Sequence, residues 1–298
     1  MEREPVKKTF KMYSAGKFVR SESGRTLELS KDGEFLANIP WASRKDLRDA
    51  IGSSRKAFSG WKNKTAYNRS QILYRFGEML EDRKNEFVNA IAKQDSVSQE
   101  EALKEVELSI DRVIWYAGFA DKYSAIYSSV NPVAQPMFNF SSLEAMGVIA
   151  IFSPEEPSLL GALSLALPAI TAGNTVVLSF PWTNGLIACL LGELIHCSDI
   201  PAGTINILTG QVSELLPVAS THMDLNAIVC SDIDEKDWSK AESDSVSNLK
   251  RMFRFKIENK EQYFDEEKAQ SPLFITQLSE VKTAWHPIAT SIGGGAAY

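Results

Sequence analysis

The sequence predicts an α/β protein with a three-layer, doubly wound parallel sheet. Apolar runs of strand length alternate with helical patterns over residues 147–230, at spacings that suit parallel strands joined by helices. The first of these runs, residues 147–152 (GVIAIF), is continuously apolar, as expected of a strand that is buried on both faces. Before it, residues 43–114 carry apolar side chains at helical spacing, which indicates a group of amphipathic helices.

The N-terminal region is predicted to hold short strands followed by helices. Residues 10–40 alternate short β-type runs with turns marked by glycine. Ser43 precedes Asp46 by three residues, and Ser98 stands in the same relation to Glu101. Both spacings are typical of the capping box, so a helix should begin at each serine. Between them, a further amphipathic pattern carries Ile72, Leu73, Phe76, Met79 and Leu80.

The alternation that defines the parallel sheet begins after a strand predicted at residues 139–144. In order, it consists of a strand at 147–152, a helix at 159–170, a strand at 175–178, a helix at 184–196, a strand at 204–208, a short helix near 214–220 and a strand at 227–230.

The alternation stops after residue 230. Residues 231–247 are polar and acidic and are predicted to form a surface loop or linker. Residues 249–257 are predicted to form a basic helix, and residues 274–285 alternate as a strand does. The segment 291–298 is expected to be a flexible tail.

The composition is that of an ordinary globular chain. Of its 298 residues 44% are hydrophobic and 23% are charged, and the net charge is −6. An acidic balance argues against nucleic acid as a partner, since binding it needs a basic face. We find no apolar run long enough to span a bilayer and no secretory signal at the N-terminus, so we expect a cytoplasmic protein without membrane contact.

Neither the cysteines nor the histidines form a recognisable site. An odd, sparse set of thiols without a CxxC motif indicates reduced, intracellular cysteines. The histidines lie too far apart in the sequence to suggest a pair of metal ligands on one helix, so we expect no metal site. These residues are Cys189, Cys197 and Cys230, and His196, His222 and His286.

Six segments in order and in register resemble the aldehyde dehydrogenase superfamily. They are 55–61 (RKAFSGW), 115–123 (WYAGFADKY), 147–160 (GVIAIFSPEEPSLL), 168–181 (PAITAGNTVVLSFP), 200–210 (IPAGTINILTG) and 221–229 (THMDLNAIV). The resemblance covers about residues 10–230. The run 280–285 (EVKTAW) is similar to the C-terminal oligomerisation strand of that family.

The resemblance implies a Rossmann-like cofactor-binding-type domain over residues 1–230, which includes oligomerisation strands at about 123–142. Members of the family are considerably longer, because a catalytic domain precedes their C-terminal strand. Here an acidic loop and helix at 231–272 stand in its place, and residues 273–298 hold the last oligomerisation strand and the tail. We therefore expect the catalytic domain to be absent.

No catalytic residue is expected. The resemblance implies a catalytic cysteine and a general-base glutamate, and both would lie in the missing domain. The chemistry needs a thiolate to attack the aldehyde and a base to activate the hydrolytic water. Cys189 and Cys197 lie at positions that the family does not use, and Cys230 has no activating neighbour in the sequence. We interpret all three as buried or inert thiols.

The turn that follows the first strand of the sheet departs from the family. After Ser153 and Pro154 the family has an aromatic residue and an asparagine whose amide stabilises the oxyanion. This chain has Glu155 and Glu156. An ionised carboxylate cannot donate that hydrogen bond, and its charge opposes a developing oxyanion. We favour a solvated turn here over a new acid–base pair.

The positions that would hold a nucleotide are altered as well. The lysine and glutamate that bind the adenosine ribose correspond to Ser179 and Trp182, so a cation and an acceptor are both lost. Asp232 stands where a small turn with glycine would face the pyrophosphate, and an aspartate repels phosphate. The glycine pattern after Gly210 is diluted. We expect no cofactor, with NAD or NADP as the only candidates.

Some of these residues have simpler interpretations. Asp232, Asp234 and Glu235 are expected to form a solvated loop, in which one of them can cap a helix. The aromatic residues Trp115, Tyr116 and Phe119 are expected to pack in the core or an interface, and His222 to cap or pack near a strand start.

Two functions from different classes remain open, together with a third interpretation of the chain. The first is a pseudoenzyme that acts by association, with itself or with a full-length aldehyde dehydrogenase, through strand addition at its oligomerisation strands. The second is an NAD(P)-dependent oxidoreductase with residual nucleotide binding. The third interpretation is that the chain is part of a longer or tandem protein.

Overall fold

The computed structural model describes residues 6–255 and 259–288, so the predicted tail at 291–298 lies outside the described residues. The chain opens with strands β1 (Met12–Ser14), β2 (Lys17–Val19), β3 (Thr26–Lys31) and β4 (Glu34–Pro40), followed by helices α1 (Arg44–Lys62), α2 (Ala66–Asp82), α3 (Lys84–Asp95) and α4 (Gln99–Phe119). Both predicted capping boxes are confirmed: Ser43 with Asp46 starts α1, and Ser98 with Glu101 starts α4.

The middle of the chain contains the predicted alternation. Its elements are α5 (Tyr123–Tyr127), β5 (Ser129–Asn131), β6 (Met137–Ala145), β7 (Val148–Phe152), α6 (Ser158–Thr171), β8 (Thr175–Pro181), α7 (Gly185–Cys197), β9 (Ile205–Gly210), α8 (Val212–Thr221) and β10 (Ala227–Cys230). The prediction of strands from residue 123 is wrong at its start, because residues 123–127 form the short helix α5 around the buried Tyr123.

The last part of the chain differs most from the predictions. Its elements are α9 (Glu235–Ser245), β11 (Arg251–Arg254), α10 (Glu266–Ala269), α11 (Pro272–Gln277) and β12 (Ser279–Pro287). The acidic stretch 231–247 is thus mostly a helix, not a loop. The predicted basic helix at 249–257 is wrong in its described part, which is a strand, and the predicted strand at 274–285 begins only after α11.

Seven strands form the main sheet, in the order β11-β10-β7-β8-β9-β1-β2. The neighbours from β11 to β9 are parallel, whereas β1 is antiparallel to both β9 and β2. The predicted doubly wound parallel sheet is therefore confirmed, with an antiparallel pair added at one edge.

Helices cover both faces of this sheet. Alternate residues of β7 point to opposite sides: Ile149 and Ile151 belong to a core cluster with residues of α2, α4, α6 and α7, whereas Val148 and Ala150 belong to a second cluster with residues of α1, α8 and α9. Trp238 of α9 is buried in the second cluster, which explains why so acidic a segment folds as a helix. The predicted three layers are thus present.

A separate sheet of three antiparallel strands, in the order β12-β6-β5, adjoins this core. It is anchored at one end. The buried Asn174 accepts a hydrogen bond from the backbone of Gly147 (3.0 Å) and donates to the carbonyls of Ala169 (3.0 Å) and Leu278 (2.7 Å). Arg251 of β11 donates to the carbonyl of Ser279 (2.9 Å), at the start of β12.

Candidate functional site

The strand order of the parallel sheet reverses between β7 and β10, and we call the region at the carboxyl ends of these strands the crevice. From β7 the chain crosses to β8 on one side, and from β10 it crosses to β11 on the other. Such a switch point, at the carboxyl ends of the strands, is where doubly wound proteins bind their ligands. The residues that follow these strands meet here, because Phe152 of β7 is in register with Cys230 of β10 and with Ser179 of β8.

Ser153 and Ser179 lie together at the floor of the crevice. Both are buried. The backbone N–H of Ser153 donates to the carbonyl of Ser179 over 3.0 Å, and its hydroxyl donates to the same oxygen over 3.3 Å. The serine at 179 therefore supplies a short neutral side chain beneath the crevice, where a lysine would supply a long cation.

The rim of the crevice is acidic. Burial, with the nearby Glu155 carboxylate as the second cause, raises the pKa of Asp232. The carboxylate of Glu156 pairs with Lys260 over 2.8 Å at the surface. Asn184 fixes the turn between these groups, since its amide donates to the carbonyls of Pro154 (3.1 Å) and Glu155 (2.8 Å). A phosphate entering here meets the carboxylates of Glu155 and Asp232, which repel it.

Two further predicted positions are occupied by packing contacts. Trp182 packs with Leu186 against the apolar cluster of the β3–β4 hairpin. Gly210 ends β9, and a Cβ atom at this position would lie 3.2 Å from Leu215 and 3.6 Å from Ala42. Both residues therefore belong to the packing around the crevice.

Four helices begin at this edge of the sheet, and in three of them, α6, α7 and α9, side chains accept hydrogen bonds from N–H groups of the first turn, whereas the N-cap residue of α8, Gln211, makes no such side-chain bond. At α6, Glu105 accepts from Leu159 (2.7 Å) and Leu160 (3.1 Å). At α7, Gln94 accepts from Leu186 (3.0 Å) and Ile187 (3.4 Å), and at α9, Asp234 accepts from Lys236 (2.8 Å). Free N–H groups at a helix start are what binds an anion, and here side chains of the same chain take up these donors. The expectation that one acidic residue of 232–235 caps a helix is confirmed at Asp234.

Sequence reasoning did not find Glu105. It lies on the buried face of α4, among residues whose spacing predicted only core packing. Burial raises the pKa of Glu105 to about 7, the Asp95 and Glu156 carboxylates add to the rise, and the two backbone N–H groups oppose it. A cavity of about 370 Å³ beside it is lined by Asp95, Glu156, Lys260 and Phe264, among others.

The three cysteines differ in exposure. Cys189 lies within α7 and Cys230 at the end of β10, and both are buried. Burial raises the pKa of the Cys230 thiol to about 12, and it raises that of Cys189 further. Neither thiol is ionised near neutral pH, which a nucleophile would require. Cys197, at the end of α7, is exposed.

The histidines take structural positions. His196 packs edge-on against Tyr13 and Phe18, and His286 stacks on Phe140. His222 caps the end of α8 and accepts a hydrogen bond from the N–H of Asp224 over 3.2 Å. Within residues 6–255 and 259–288, no group of three or more His, Cys, Asp or Glu side chains is arranged to hold a metal ion. In the same ranges, no helix has both the length and the apolar character to cross a membrane.

The known proteins that this chain is similar to are aldehyde dehydrogenases. The Aldehyde dehydrogenase family matches residues 18–231. The D-glyceraldehyde dehydrogenase (NADP(+)) of Picrophilus torridus is 31% identical over 207 residues, which are 69% of this chain and 42% of that protein. The mitochondrial benzaldehyde dehydrogenase of Antirrhinum majus is 29% identical over 246 residues, which are 80% of this chain and 45% of that protein.

Solved structures share the fold. The NAD⁺ complex of an aldehyde dehydrogenase from Bacillus cereus matches with a TM-score of 0.78 at 21% identity, over 83% of this chain and 50% of that one. The aldehyde dehydrogenase KauB from Pseudomonas aeruginosa matches with a TM-score of 0.77 at 24% identity, over 84% of this chain and 51% of that one. The chain thus spans about half the length of these relatives. Since the family match extends over most of the chain, the resemblance that its motifs indicated is confirmed, and the chain belongs to the aldehyde dehydrogenase family.

Proposed function

We propose that this chain is a non-catalytic member of its family that acts by associating with another protein chain. The observation that carries the proposal is strand β12. Its nine residues pair with β6 on one side, and within the described residues no strand pairs with its other side. An unpaired strand edge presents a row of N–H and C=O groups to any chain that can add a strand.

The side chains of this sheet also favour association. Of the residues in β12 only Ser279 is buried, and the side chains of Val281 and Trp285 are 67% and 57% exposed. Val130 of β5 and Phe138 of β6 are exposed on the opposite face of the same sheet. Apolar side chains in contact with water on an unpaired sheet are typical of a surface that another protein covers.

The geometry of the crevice supports a role outside catalysis. The two buried thiols have raised pKa values, and carboxylates line the rim where an oxyanion or a phosphate would need donors. We therefore propose association through strand addition, either with a second copy of this chain or with a full-length aldehyde dehydrogenase. We place this function in the cytoplasm, where free cysteines such as the exposed Cys197 persist.

An alternative function is residual binding of NAD or NADP, with weak oxidoreductase activity. The observation that favours it is the crevice itself, which lies where doubly wound sheets bind nucleotides. The acidic rim and the capped starts of α6, α7 and α9 argue against it, so we rank it second.

Recovery of the tagged full chain from its native extract, followed by a mass measurement, tests the association. The matched variant is Thr283→Pro, which removes one N–H from the edge strand and obstructs further pairing. We expect the unmodified chain in a complex of at least twice its own 33.0 kDa and the variant alone. Recovery of the unmodified chain as a lone monomer would contradict the proposal.

A further inference from the structure

The direction of each backbone group of β12 follows from two contacts at its ends. The N–H of Ile288 donates to the carbonyl of Pro136 over 3.0 Å, across the pair that continues the β12–β6 register. Antiparallel strands alternate between residues that bond to the partner and residues that point away. Even-numbered residues of β12 therefore bond to β6, and the N–H and C=O groups of Val281, Thr283 and Trp285 point to the unpaired edge. The carbonyl of Ser279 points the same way, as its contact with Arg251 shows.

A second β12 strand can pair with this edge about a two-fold axis. In such an antiparallel pair, a residue that lies n positions before the axis faces the residue that lies n positions after it in the second copy. The residue on the axis therefore determines every other pair. With the axis at Thr283, Val281 faces Trp285 of the second copy, and Glu280 faces His286. Apolar side chains then lie opposite each other on one face of the sheet, and a carboxylate lies opposite an imidazole on the other.

The ends of the strands also match when the axis is at Thr283. Ser279 then faces Pro287 of the second copy. Proline has no N–H to donate, and the Ser279 carbonyl that would need this donor already accepts from Arg251. The proline therefore leaves no carbonyl without a donor. The outward N–H and C=O groups of Val281, Thr283 and Trp285 all find partners in the second copy.

Neighbouring axes are less favourable. An axis at Ala284 places Trp285 opposite Thr283 and separates it from Val281. An axis at Lys282 places this lysine opposite itself. Like charges directly opposite each other destabilise a strand pair. An axis at Val281 pairs Glu280 with Lys282 but moves Trp285 past the end of the partner strand. Glu280 and Lys282 already pair with Arg251 and Glu144 of their own chain, so the contact of Val281 with Trp285 and the separation of Lys282 from its own copy are what favour Thr283 as the centre.

We propose that β12 pairs with β12 of a second copy of this chain, about a two-fold axis at Thr283, so that two three-stranded sheets become one sheet of six strands. This inference rests on the proposed function, since it names the partner and the register of the association.

Two opposite charges at one position test the register. With the axis at Thr283, Ala284 faces Lys282 of the second copy. Ala284→Glu then adds an opposite-charge pair twice in each dimer, and Ala284→Lys adds a like-charge pair twice. We expect the dimer dissociation constant of the full chain, measured by sedimentation at low salt, to be about tenfold lower for the glutamate variant than for the lysine variant.

The same two variants reveal a wrong register. An axis at Lys282 would place Ala284 opposite Glu280 and reverse the order of the two constants. An axis at Ala284 would weaken the dimer with both substitutions. Either result would overturn the proposal, and so would equal constants.

Cross-linking locates the axis directly. In a Cys197→Ser background, we expect Thr283→Cys to form a disulfide between copies on mild oxidation, because a residue on the axis lies about 5.5 Å from its own copy between Cα atoms. The matched variant Val281→Cys is separated from its own copy by about 14 Å between Cα atoms and should not cross-link. Cross-linking at residue 281 but not at 283 would move the axis and contradict the proposal.

The failure of this inference can be separated from that of the proposed function. If the pure chain stays monomeric up to about 100 μM, the second copy is not the partner. The proposed function would still stand if the unmodified chain, and not Thr283→Pro, is recovered with a different protein from extract. A monomer in both experiments overturns both.

Discussion

The carboxylate of Glu105, on α4, accepts a hydrogen bond of 2.7 Å from the backbone N–H of Leu159, in the first turn of α6. A buried side chain thus caps the helix that follows the first strand of the parallel sheet, with no ligand involved. The pairing ties two helices together at the edge of the crevice.

This pairing predicts a pH dependence of stability. The pKa of Glu105 is about 7 in the folded chain, above its ordinary value of 4.5. Between pH 4.5 and about 7 the unfolded chain has released this proton, whereas the folded chain still holds it. The contribution of Glu105 to the free energy of unfolding therefore falls as the pH rises from 4.5 to about 7, and it is constant above that. Over this pH range the contribution of Glu105 to the free energy of unfolding falls by about 3 kcal/mol.

The variant Glu105→Gln should remove this dependence. A glutamine keeps an acceptor for the N–H of Leu159 but carries no charge. We expect the difference in unfolding free energy between variant and unmodified chain to grow from pH 5 to pH 8 in the variant's favour, as measured by urea denaturation. The control is Glu107→Gln on the exposed side of the same helix. An equal pH slope in all three proteins would contradict the prediction.

A second prediction concerns nucleotides. Because the rim carboxylates repel phosphate and side chains cap the starts of α6, α7 and α9, we expect NAD and NADP to bind with dissociation constants above about 1 mM. Isothermal titration calorimetry of the full chain measures this, with a full-length NAD-dependent relative as the positive control. A micromolar constant would restore the alternative function.

The reactivity of the thiols provides a third test. Cys197 is exposed, whereas Cys189 and Cys230 are buried with raised pKa values. A chromogenic disulfide reagent at pH 8 should therefore react rapidly with one thiol in the folded chain and with all three in denaturant. In the variant Cys197→Ser the rapid reaction should vanish. A rapid reaction that persists in this variant would show that a buried thiol is accessible.

The acidic segment after β10 provides a fourth test. Trp238 is buried between α9 and the sheet, so Trp238→Ala should lower the unfolding free energy by about 3 kcal/mol. The exposed Lys240, on the same helix, is the matched site, and Lys240→Ala should change stability by less than about 0.5 kcal/mol. Equal effects at the two sites would mean that α9 does not pack as described.

The sequence predicts the parallel sheet well, because its strands are apolar runs separated by helices of ordinary length. It fails where tertiary contacts outweigh local composition. Residues 235–245 are too acidic to suggest a core helix, yet Trp238 and Ala241 lie three residues apart and supply a narrow apolar stripe. The strand β11 carries Arg251 and Arg254, and it forms because the parallel edge of β10 is available to pair with it.

At the candidate site, too, the sequence predicted some features and missed others. The altered residues at the crevice could be found by comparing single positions with the family, since each change replaces one functional group by another. The hydrogen bonds of Glu105 and Gln94 to helix starts could not, because each joins residues more than 50 positions apart. Such contacts leave no periodic signal in a single sequence.

The contacts of Asn174 have a mechanical consequence. One amide connects the start of β7, the end of α6 and the turn before β12. The three-stranded sheet is therefore held at the end where β12 begins, and a force applied along β12 is transmitted through Asn174 to the first strand of the parallel sheet. A chain that binds the outer strand therefore loads two links to the parallel sheet, the amide of Asn174 and the guanidinium of Arg251 that donates to Ser279.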